Sequence, residues 1–256
     1  MKFRIAFPVV CVVASMLLVS CAATHKTSKQ SKFKIDCSKK YERAMLAFNK
    51  GKFNSAKMQF DNIRVSCGSS VPLDSVTYFS ARCSFNEGLY TEAKSEFIRA
   101  YQDFSASALA DEARFWAAKS VYYSGLSVDR DQTETRASLR LFKDIAESAS
   151  AGVWGDSAQV YLTKANEKLA QKEFEIAKFY QTIGEKEAAI VSFKLFEKEF
   201  PGSTFVADAR VACASELIDL SRTDEASEEL SSVLADSTIT GLVRERAKLI
   251  LAKTKQ

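Results

Sequence analysis

A 37-residue repeat organises this sequence. The segment Gly51-Lys-Phe-Asn-Ser-Ala56, followed by Phe60, returns 37 residues later as Gly88-Leu-Tyr-Thr-Glu-Ala93, followed by Phe97. The first helix of each copy carries an alanine, and successive alanines are separated by 37, 37, 59 and 37 residues. These alanines are Ala44, Ala81, Ala118, Ala177 and Ala214. A repeat of this length with helical spacing is typical of stacked helix hairpins, which are binding scaffolds far more often than enzymes.

The fold predicted from this repeat is all-α: a tetratricopeptide-like superhelical array of about five helix hairpins plus a C-terminal helix. Only three prolines and nine glycines occur, which favours long helices over sheets joined by turns. A helix breaker separates the two helices of each hairpin, at Gly51, Gly88, Gly125, Gly184 and Ser221. The predicted pairs are 37–50 with 53–67, 73–87 with 90–104, 108–124 with 132–149, 155–183 with 185–199, and 204–221 with 223–235, and a last helix covers 239–254.

The N-terminus has the features of a lipoprotein signal peptide. Residues 1–20 combine Lys2 and Arg4 with an apolar run that is too short to cross a bilayer comfortably. The run ends in Leu18-Val-Ser-Cys21, which resembles the box that bacteria cleave before a lipidated cysteine. We therefore predict a covalent diacylglyceryl and N-acyl lipid on Cys21 and no other cofactor. The alternative is an ordinary cleaved signal in which Cys21 occurs by chance.

The segment after Cys21 predicts a tether at a membrane surface. Residues 21–34 are rich in Ser, Thr and Lys and have no helical period, as expected for a flexible linker. The absence of an acidic residue directly after Cys21 resembles the outer-membrane address of Gram-negative lipoproteins. Removing residues 1–20, which contain Lys2 and Arg4 and no acid, lowers the formal charge from +4 to +2. This balance gives no reason to expect nucleic acid as a partner.

Four further cysteines lie in the predicted helical part. Cys37 begins the first helix and Cys67 ends its antiparallel partner, so these two ends should be adjacent. Because an exported location permits disulfides, we predict a Cys37–Cys67 bridge. Cys83 and Cys213 stand among apolar helical residues and are predicted to be buried thiols. No metal site is predicted, since none of the four belongs to a C-x-x-C pair and no histidine is near them.

The single 59-residue step divides the array. It contains an enlarged turn at 127–133 and the long helix predicted at 155–183. A long helix with a polar face commonly bridges two subdomains. We therefore assign residues 35–150 to three N-terminal repeats, and residues 151–256 to the long connecting helix, two more repeats and the C-terminal helix.

Two segments of this step and its surroundings resemble the BamD family, the lipoprotein subunit of the outer-membrane β-barrel assembly machine. The first is Leu169-Ala-Gln-Lys-Glu-Phe-Glu-Ile-Ala-Lys-Phe-Tyr180, which continues to a turn at Gly184 and to Phe200-Pro201. The second is Asp129-Arg-Asp-Gln-Thr133. The Cys21 box, the five repeats and the chain length also agree. The family's usual aromatic–proline pair is missing at the ends of the first and third repeats.

The resemblance implies a non-catalytic lipoprotein scaffold, held at the outer membrane by its lipid and facing the periplasm. Its expected partners are a BamA-like barrel protein, unfolded outer-membrane β-barrel clients and other assembly lipoproteins. The C-terminal hairpins are expected to dock onto BamA, with Arg210, Arg222 and Lys248 as candidates only by location. The alternative is a repeat lipoprotein of another envelope system, such as pilus assembly or peptidoglycan coordination.

Aromatic and basic residues recur at fixed positions around the repeated alanines. Residues three before and four after each alanine are seven apart, which puts them on one helix face. The predicted client-binding groove consists of Tyr41, Tyr78, Arg82, Phe85, Phe115, Lys119 and Tyr122. An apolar groove with a cationic edge suits a peptide that ends in an aromatic residue and a carboxylate, and the resemblance implies such a C-terminal signal on the clients. The alternative is that these rings only pack between helices.

No catalytic site is predicted. The turn at 127–133 contains Asp129, Arg130 and Asp131, but Asp131 is expected to cap the next helix together with Glu134 rather than to act as an acid or base. The only histidine, His25, lies in the tether, so the folded part has no histidine for a catalytic triad. Trp116 and Trp154 are expected to be packing residues.

Overall fold

The computed structural model describes residues 36–148 and 152–254. The predicted signal peptide at 1–20, the predicted tether at 21–34 and the predicted lipidation site Cys21 lie outside the described residues. Within the described ranges all regular structure is helical, which confirms the all-α prediction. Every predicted helix end lies within three residues of the observed one.

Eleven α-helices and one short 3₁₀ helix, Gly68–Ser70, make up this part of the chain. The α-helices are α1 (Cys37–Asn49), α2 (Phe53–Ser66), α3 (Leu73–Asn86), α4 (Tyr90–Asp103), α5 (Ala110–Ser124), α6 (Thr133–Ala146), α7 (Val153–Thr182), α8 (Lys186–Glu199), α9 (Val206–Asp219), α10 (Thr223–Ala235) and α11 (Gly241–Lys253). Each α-helix packs against the next along the chain, and α5 also contacts α7 while α9 contacts α11. The result is a tetratricopeptide-like array of five hairpins and a last helix, in which most contacts are between neighbours.

The repeated alanines are buried between the helices of this array. All five first-helix alanines have exposed fractions of 1% or less. The second helices repeat a buried alanine followed four residues later by a buried large side chain, in the pairs Ala56 with Phe60, Ala93 with Phe97, Ala189 with Phe193, and Ala226 with Leu230. A small side chain lets two helices approach, and the large one fills the space one turn away. This alternation explains why the sequence repeats with such a constant period.

The hairpin turns share one backbone motif. Gly51, Gly88 and Gly184 follow the first helices with φ of 70°, 77° and 82°. At Gly88 the N–H donates to the Phe85 carbonyl, and the next N–H, of Leu89, donates to the Ser84 carbonyl. This is the Schellman arrangement that satisfies the last carbonyls of a helix.

The fifth hairpin uses the same motif without glycine. Ser221 has φ of 61° and repeats the hydrogen bonds, with its N–H donating to the Ile218 carbonyl and the Arg222 N–H to that of Leu217. The third hairpin differs, because Gly125 has φ of −65° and ψ of 139° and leads into the enlarged turn. The sequence therefore identified the five turns correctly, but the third has its own geometry.

The long helix α7 belongs to two hydrophobic cores. Its first half contributes Ala158 and Tyr161 to a core shared with α5 and α6. Its second half contributes Leu169 and Ala177 to the C-terminal core formed with α8, α9 and α10. With 30 residues, α7 is about 45 Å long at 1.5 Å per residue. No helix in the described ranges is both long enough and apolar enough to cross a membrane.

The cysteines of the first hairpin are joined. Cys37 and Cys67 form a disulfide with their Cα atoms 5.7 Å apart, linking the start of α1 to the end of α2. Cys83 and Cys213 are free, buried thiols. Burial raises the pKa of each of these two thiols to about 12, so neither is a reactive thiolate near neutral pH.

Candidate functional site

The first helices of the second, third and fourth hairpins together present rings and cations on one surface. We call this surface the aromatic–cationic face. It consists of Arg82 and Phe85 from α3, Trp116, Lys119, Tyr122 and Tyr123 from α5, Tyr161, Lys164 and Lys168 from α7, and Tyr90 at the start of α4. All of these side chains are partly or largely exposed, so the surface is available to a ligand.

Trp116 stands at the centre of the aromatic–cationic face. The Arg82 guanidinium carbon lies 3.9 Å from the centroid of the Trp116 ring, and the Lys119 Nζ lies 4.1 Å from the same centroid. The Phe85 ring meets Trp116 edge to face at 4.8 Å between centroids. Two cations therefore make cation–π contacts with the same indole ring, which places two positive charges on one aromatic surface.

The Arg82 charge is matched by a carboxylate. Its Nη1 lies 3.6 Å from Glu112 Oε1 and donates to the Tyr78 hydroxyl at 2.7 Å. The Tyr78 hydroxyl in turn donates to Glu112, and Trp116 Nε1 donates to the same Glu112 oxygen at 3.2 Å. Burial and then the hydrogen bond to Glu112 raise the pKa of Tyr78 well above its ordinary value. Glu112 therefore fixes Arg82, Tyr78 and Trp116 in place.

Lys119 has a different environment. Its Nζ lies 5.2 Å from the Tyr161 ring centroid and 5.5 Å from that of Phe85, in addition to its contact with Trp116. Among the described residues, no carboxylate lies within 4 Å of this ammonium and no atom accepts a hydrogen bond from it. Burial, followed by the charges of Arg82 and Lys164, lowers the pKa of Lys119.

Tyrosines extend the surface along α5 and α7. The Tyr90 ring stacks on Tyr123 at 5.5 Å, and the Tyr161 ring packs edge to face against Tyr122 at 5.7 Å. The phenol oxygens of Tyr123 and Tyr161 are 3.4 Å apart. Lys164 Nζ lies 4.9 Å from the Tyr161 ring and Lys168 Nζ 5.7 Å from the Tyr122 ring. Rings with cations beside them are thus continuous across three hairpins.

Four of the seven predicted groove residues come together on this face. They are Arg82, Phe85, Lys119 and Tyr122. The other three do not line it. Tyr78 and Phe115 are only 2% and 4% exposed, because the position three before the alanine points into the layer between hairpins. Tyr41 belongs to the first hairpin, where its ring packs against Phe60 at 6.3 Å.

Several residues of the face were not predicted from the sequence. Trp116 was expected only to pack, and it does pack, but it is also the partly exposed centre of the surface. Tyr123 follows Tyr122 directly, and helical spacing could have placed it at the edge of the same face. Tyr161 and Lys164 lie in the first half of the long helix, well before the repeated alanine Ala177, so nothing in the repeat pointed to them.

The enlarged turn is a structural element. Asp131 accepts hydrogen bonds from the Thr133 backbone N–H at 3.0 Å and from its hydroxyl at 3.1 Å. Gln132, which is 5% exposed, donates to the carbonyls of Ser127 and Arg130 and closes the turn. The observed N-cap is Gln132, so Asp131, which was predicted to be the cap, lies one residue before it. Within the described part of the chain no group of three or more His, Cys, Asp or Glu is placed to hold a metal ion.

The cations proposed for docking in the C-terminal half are all paired. Arg210 bonds Glu197, Arg222 bonds Glu225 at 2.7 Å, and Lys248 bonds Glu245 at 2.8 Å. Each is at least partly exposed, so these pairs contribute little to stability and leave both partners accessible. The geometry does not single out one of them as a contact residue.

The fold and the face define a class of protein: an array of helix hairpins that presents aromatic and cationic side chains on its first helices. Comparison with family models narrows this class. The outer membrane lipoprotein family YfiO matches residues 34–230, which is more than half of the chain. The chain belongs to this family, which confirms the resemblance to BamD. No curated protein sequence matches it.

Solved structures with similar folds are distant in sequence. The TPR2AB domain of yeast Sti1, in complex with pHSP90, has a TM-score of 0.42 and 13% identity, over 86% of this chain and 83% of that chain. The thermophilic TPR protein TTC0263 of Thermus thermophilus has a TM-score of 0.33 and 14% identity, over 84% and 99%. The ribosomal-protein assembly chaperone Acl4 has a TM-score of 0.31 and 13% identity, over 86% and 97%.

Proposed function

We propose that this outer membrane lipoprotein is a non-catalytic, periplasm-facing scaffold of the β-barrel assembly machinery. The lipid on Cys21 would hold it at the membrane. The aromatic–cationic face would hold the C-terminal signal of an unfolded β-barrel client, and the C-terminal hairpins would dock onto a BamA-like barrel protein. Membership of the outer membrane lipoprotein family supports the location at the membrane, and the aromatic–cationic face supports the client role.

The observation that carries the proposal is the pairing of partly exposed rings with cations on adjacent first helices. Phe85, Trp116 and Tyr123 offer apolar area for an aromatic side chain. Arg82 and Lys119 provide positive charge next to those rings. A peptide that ends in an aromatic residue followed by its terminal carboxylate matches both features over a short distance.

Peptide binding tests the client role. The full chain is titrated with a fluorescent peptide of about ten residues that ends in Phe with a free carboxylate, and anisotropy is measured. Arg82→Glu with Lys119→Glu should lower the affinity at least about tenfold, because each change replaces an attraction by a repulsion. Lys178→Glu is the matched control, since Lys178 directly follows the repeated alanine of the fourth hairpin just as Lys119 does in the third. An unchanged affinity in the double variant contradicts the client role.

Capture from the envelope tests the docking role. The lipidated protein is crosslinked in cells, purified from detergent-solubilised envelopes, and its partners are identified by mass spectrometry. Recovery of a BamA-like barrel protein is the expected result. Recovery of pilus or peptidoglycan proteins without such a barrel would instead place this scaffold in another envelope system.

A further inference from the structure

The two cations on Trp116 are not equivalent. Arg82 already faces Glu112 at 3.6 Å and its Nη1 donates to Tyr78, so its charge is matched within the protein, although its buried Nε has no acceptor among the described residues. Lys119 is surrounded by rings, and in the described ranges its ammonium has neither a carboxylate within 4 Å nor a hydrogen-bond acceptor. A partly buried ammonium without an acceptor is costly unless something else satisfies it.

The hydrogen bonds around Glu112 keep this carboxylate with Arg82 and away from Lys119. Glu112 Oε1 is held by hydrogen bonds from Tyr78 and Trp116, in addition to the nearby Arg82. Moving it towards Lys119 would leave Arg82 without a counter-charge and Trp116 Nε1 without an acceptor. No acceptor for Lys119 lies among the described residues, so its ammonium is left for solvent or for a bound anion.

Lys164 lies beside the same aromatic ring as Lys119. Its Nζ is 4.9 Å from the Tyr161 ring centroid, while the Lys119 Nζ is 5.2 Å from that centroid. Lys164 is exposed and, among the described residues, has no ion pair within 4 Å. The Tyr161 ring therefore has two uncompensated ammonium groups beside it, which together favour an anion.

We propose that Lys119, and not Arg82, receives the terminal carboxylate of the bound peptide, with Lys164 as a second, outer cation. Trp116, Phe85 and Tyr161 then take the aromatic side chain next to that carboxylate. Arg82 is a positioning residue that holds Glu112 and Trp116. This assignment rests on the proposed client role and adds the residue that decides whether the face recognises a free C-terminus.

The test compares two peptides of identical sequence that end in Phe, one with a free carboxylate and one with a C-terminal amide. Each is titrated against the full chain. The wild type should bind the acid about tenfold more tightly than the amide, as for one hydrogen-bonded charge pair. Lys119→Met should bring the ratio of the two affinities close to one, chiefly by lowering the affinity for the acid.

The control variants separate recognition from structure. Arg82→Lys and Arg82→Met should keep the preference for the acid, even where both affinities fall. Lys178→Met should change neither affinity, since Lys178 is exposed and donates to Gln181 at 2.5 Å. Circular dichroism checks that each variant folds, and Arg82→Lys keeps the cation beside Glu112 if Arg82→Met does not fold.

The outcomes are distinguishable. If the wild type binds neither peptide, the client role itself is wrong. If it binds both equally, or if Lys119→Met keeps the preference for the acid, the face can still hold clients but Lys119 is not the carboxylate receptor. Loss of the preference in Arg82→Lys would assign that role to Arg82 and overturn the proposal.

Discussion

At the residue scale, Arg82 and Lys119 contact the same ring but differ in how their charge is matched. Arg82 completes a network with Glu112, whose side chain is only 22% exposed. Lys119 places an ammonium among rings without an acceptor in the described part of the chain, so its burial is a cost that only its contact with the rings offsets. A surface kept for binding is often less stable than it could be.

Replacing each cation by methionine should expose this difference. Arg82→Met should lower the free energy of unfolding by about 1–3 kcal/mol, because Glu112 loses its counter-charge. Lys119→Met should leave it unchanged or raise it by up to about 1 kcal/mol, because desolvation of the ammonium is removed while the hydrophobic stem is kept. Urea denaturation followed by circular dichroism measures both. A larger loss for Lys119→Met than for Arg82→Met would contradict this account of the site.

At the element scale, the helices could be predicted because residues in the adjoining turns determine where each helix ends. Gly51, Gly88, Gly184 and Ser221 all adopt positive φ at the same point of the hairpin, and the repeated alanines set the packing period. The site could be predicted only in part, because the repeat says which helix carries a residue but not how far it is covered by the next hairpin. Tyr78 and Phe115 have the right types and spacing, yet α4 and α5 cover Tyr78, and α6 and α7 cover Phe115.

The turn motif makes a direct prediction for stability. Gly88→Ala should lower the free energy of unfolding by about 1 kcal/mol, because φ of 77° is unfavourable for any residue with a Cβ, although no atom lies within 4 Å of that Cβ. Gly202→Ala is the matched control, since its Cβ would also meet open space and its φ lies outside the positive region. Ser221→Gly should stabilise the fifth hairpin by about 0.5–1 kcal/mol. Thermal melts measure all three, and equal effects at 88 and 202 would rule out backbone strain as the cause.

At the scale of the whole molecule, α7 makes the array continuous. The long step interrupts the repeat period, but the residues that cause it form an unbroken helix with side chains in two cores. In a repeat array, stability depends on contacts between neighbours, so the element shared by two cores controls whether they unfold together. We expect α7 to couple the unfolding of the N-terminal and C-terminal hairpins.

A proline in the middle of α7 should uncouple them. Ala165 is fully buried, and Ala165→Pro would remove a helical hydrogen bond and clash with the preceding turn, at a cost of about 3 kcal/mol or more. Differential scanning calorimetry should then show two transitions in place of one, and hydrogen exchange should become faster along α7. Asn166→Ala, at the exposed neighbouring position, should leave a single transition. A single transition in Ala165→Pro would mean that the two halves are coupled by other contacts.

The continuity of α7 also limits how this protein can move. Hinges form where a few loop residues absorb a change in backbone angles, whereas a packed helix resists bending. Between the part of α7 that packs on α5 and α6 and the part that packs on α8 and α9 there is no such loop, because residues 153–182 are helical throughout. Under the proposed function, client binding at one end would therefore reach a partner at the other end through a rigid-body displacement of α7 and the hairpins packed on it, and not through bending at a hinge.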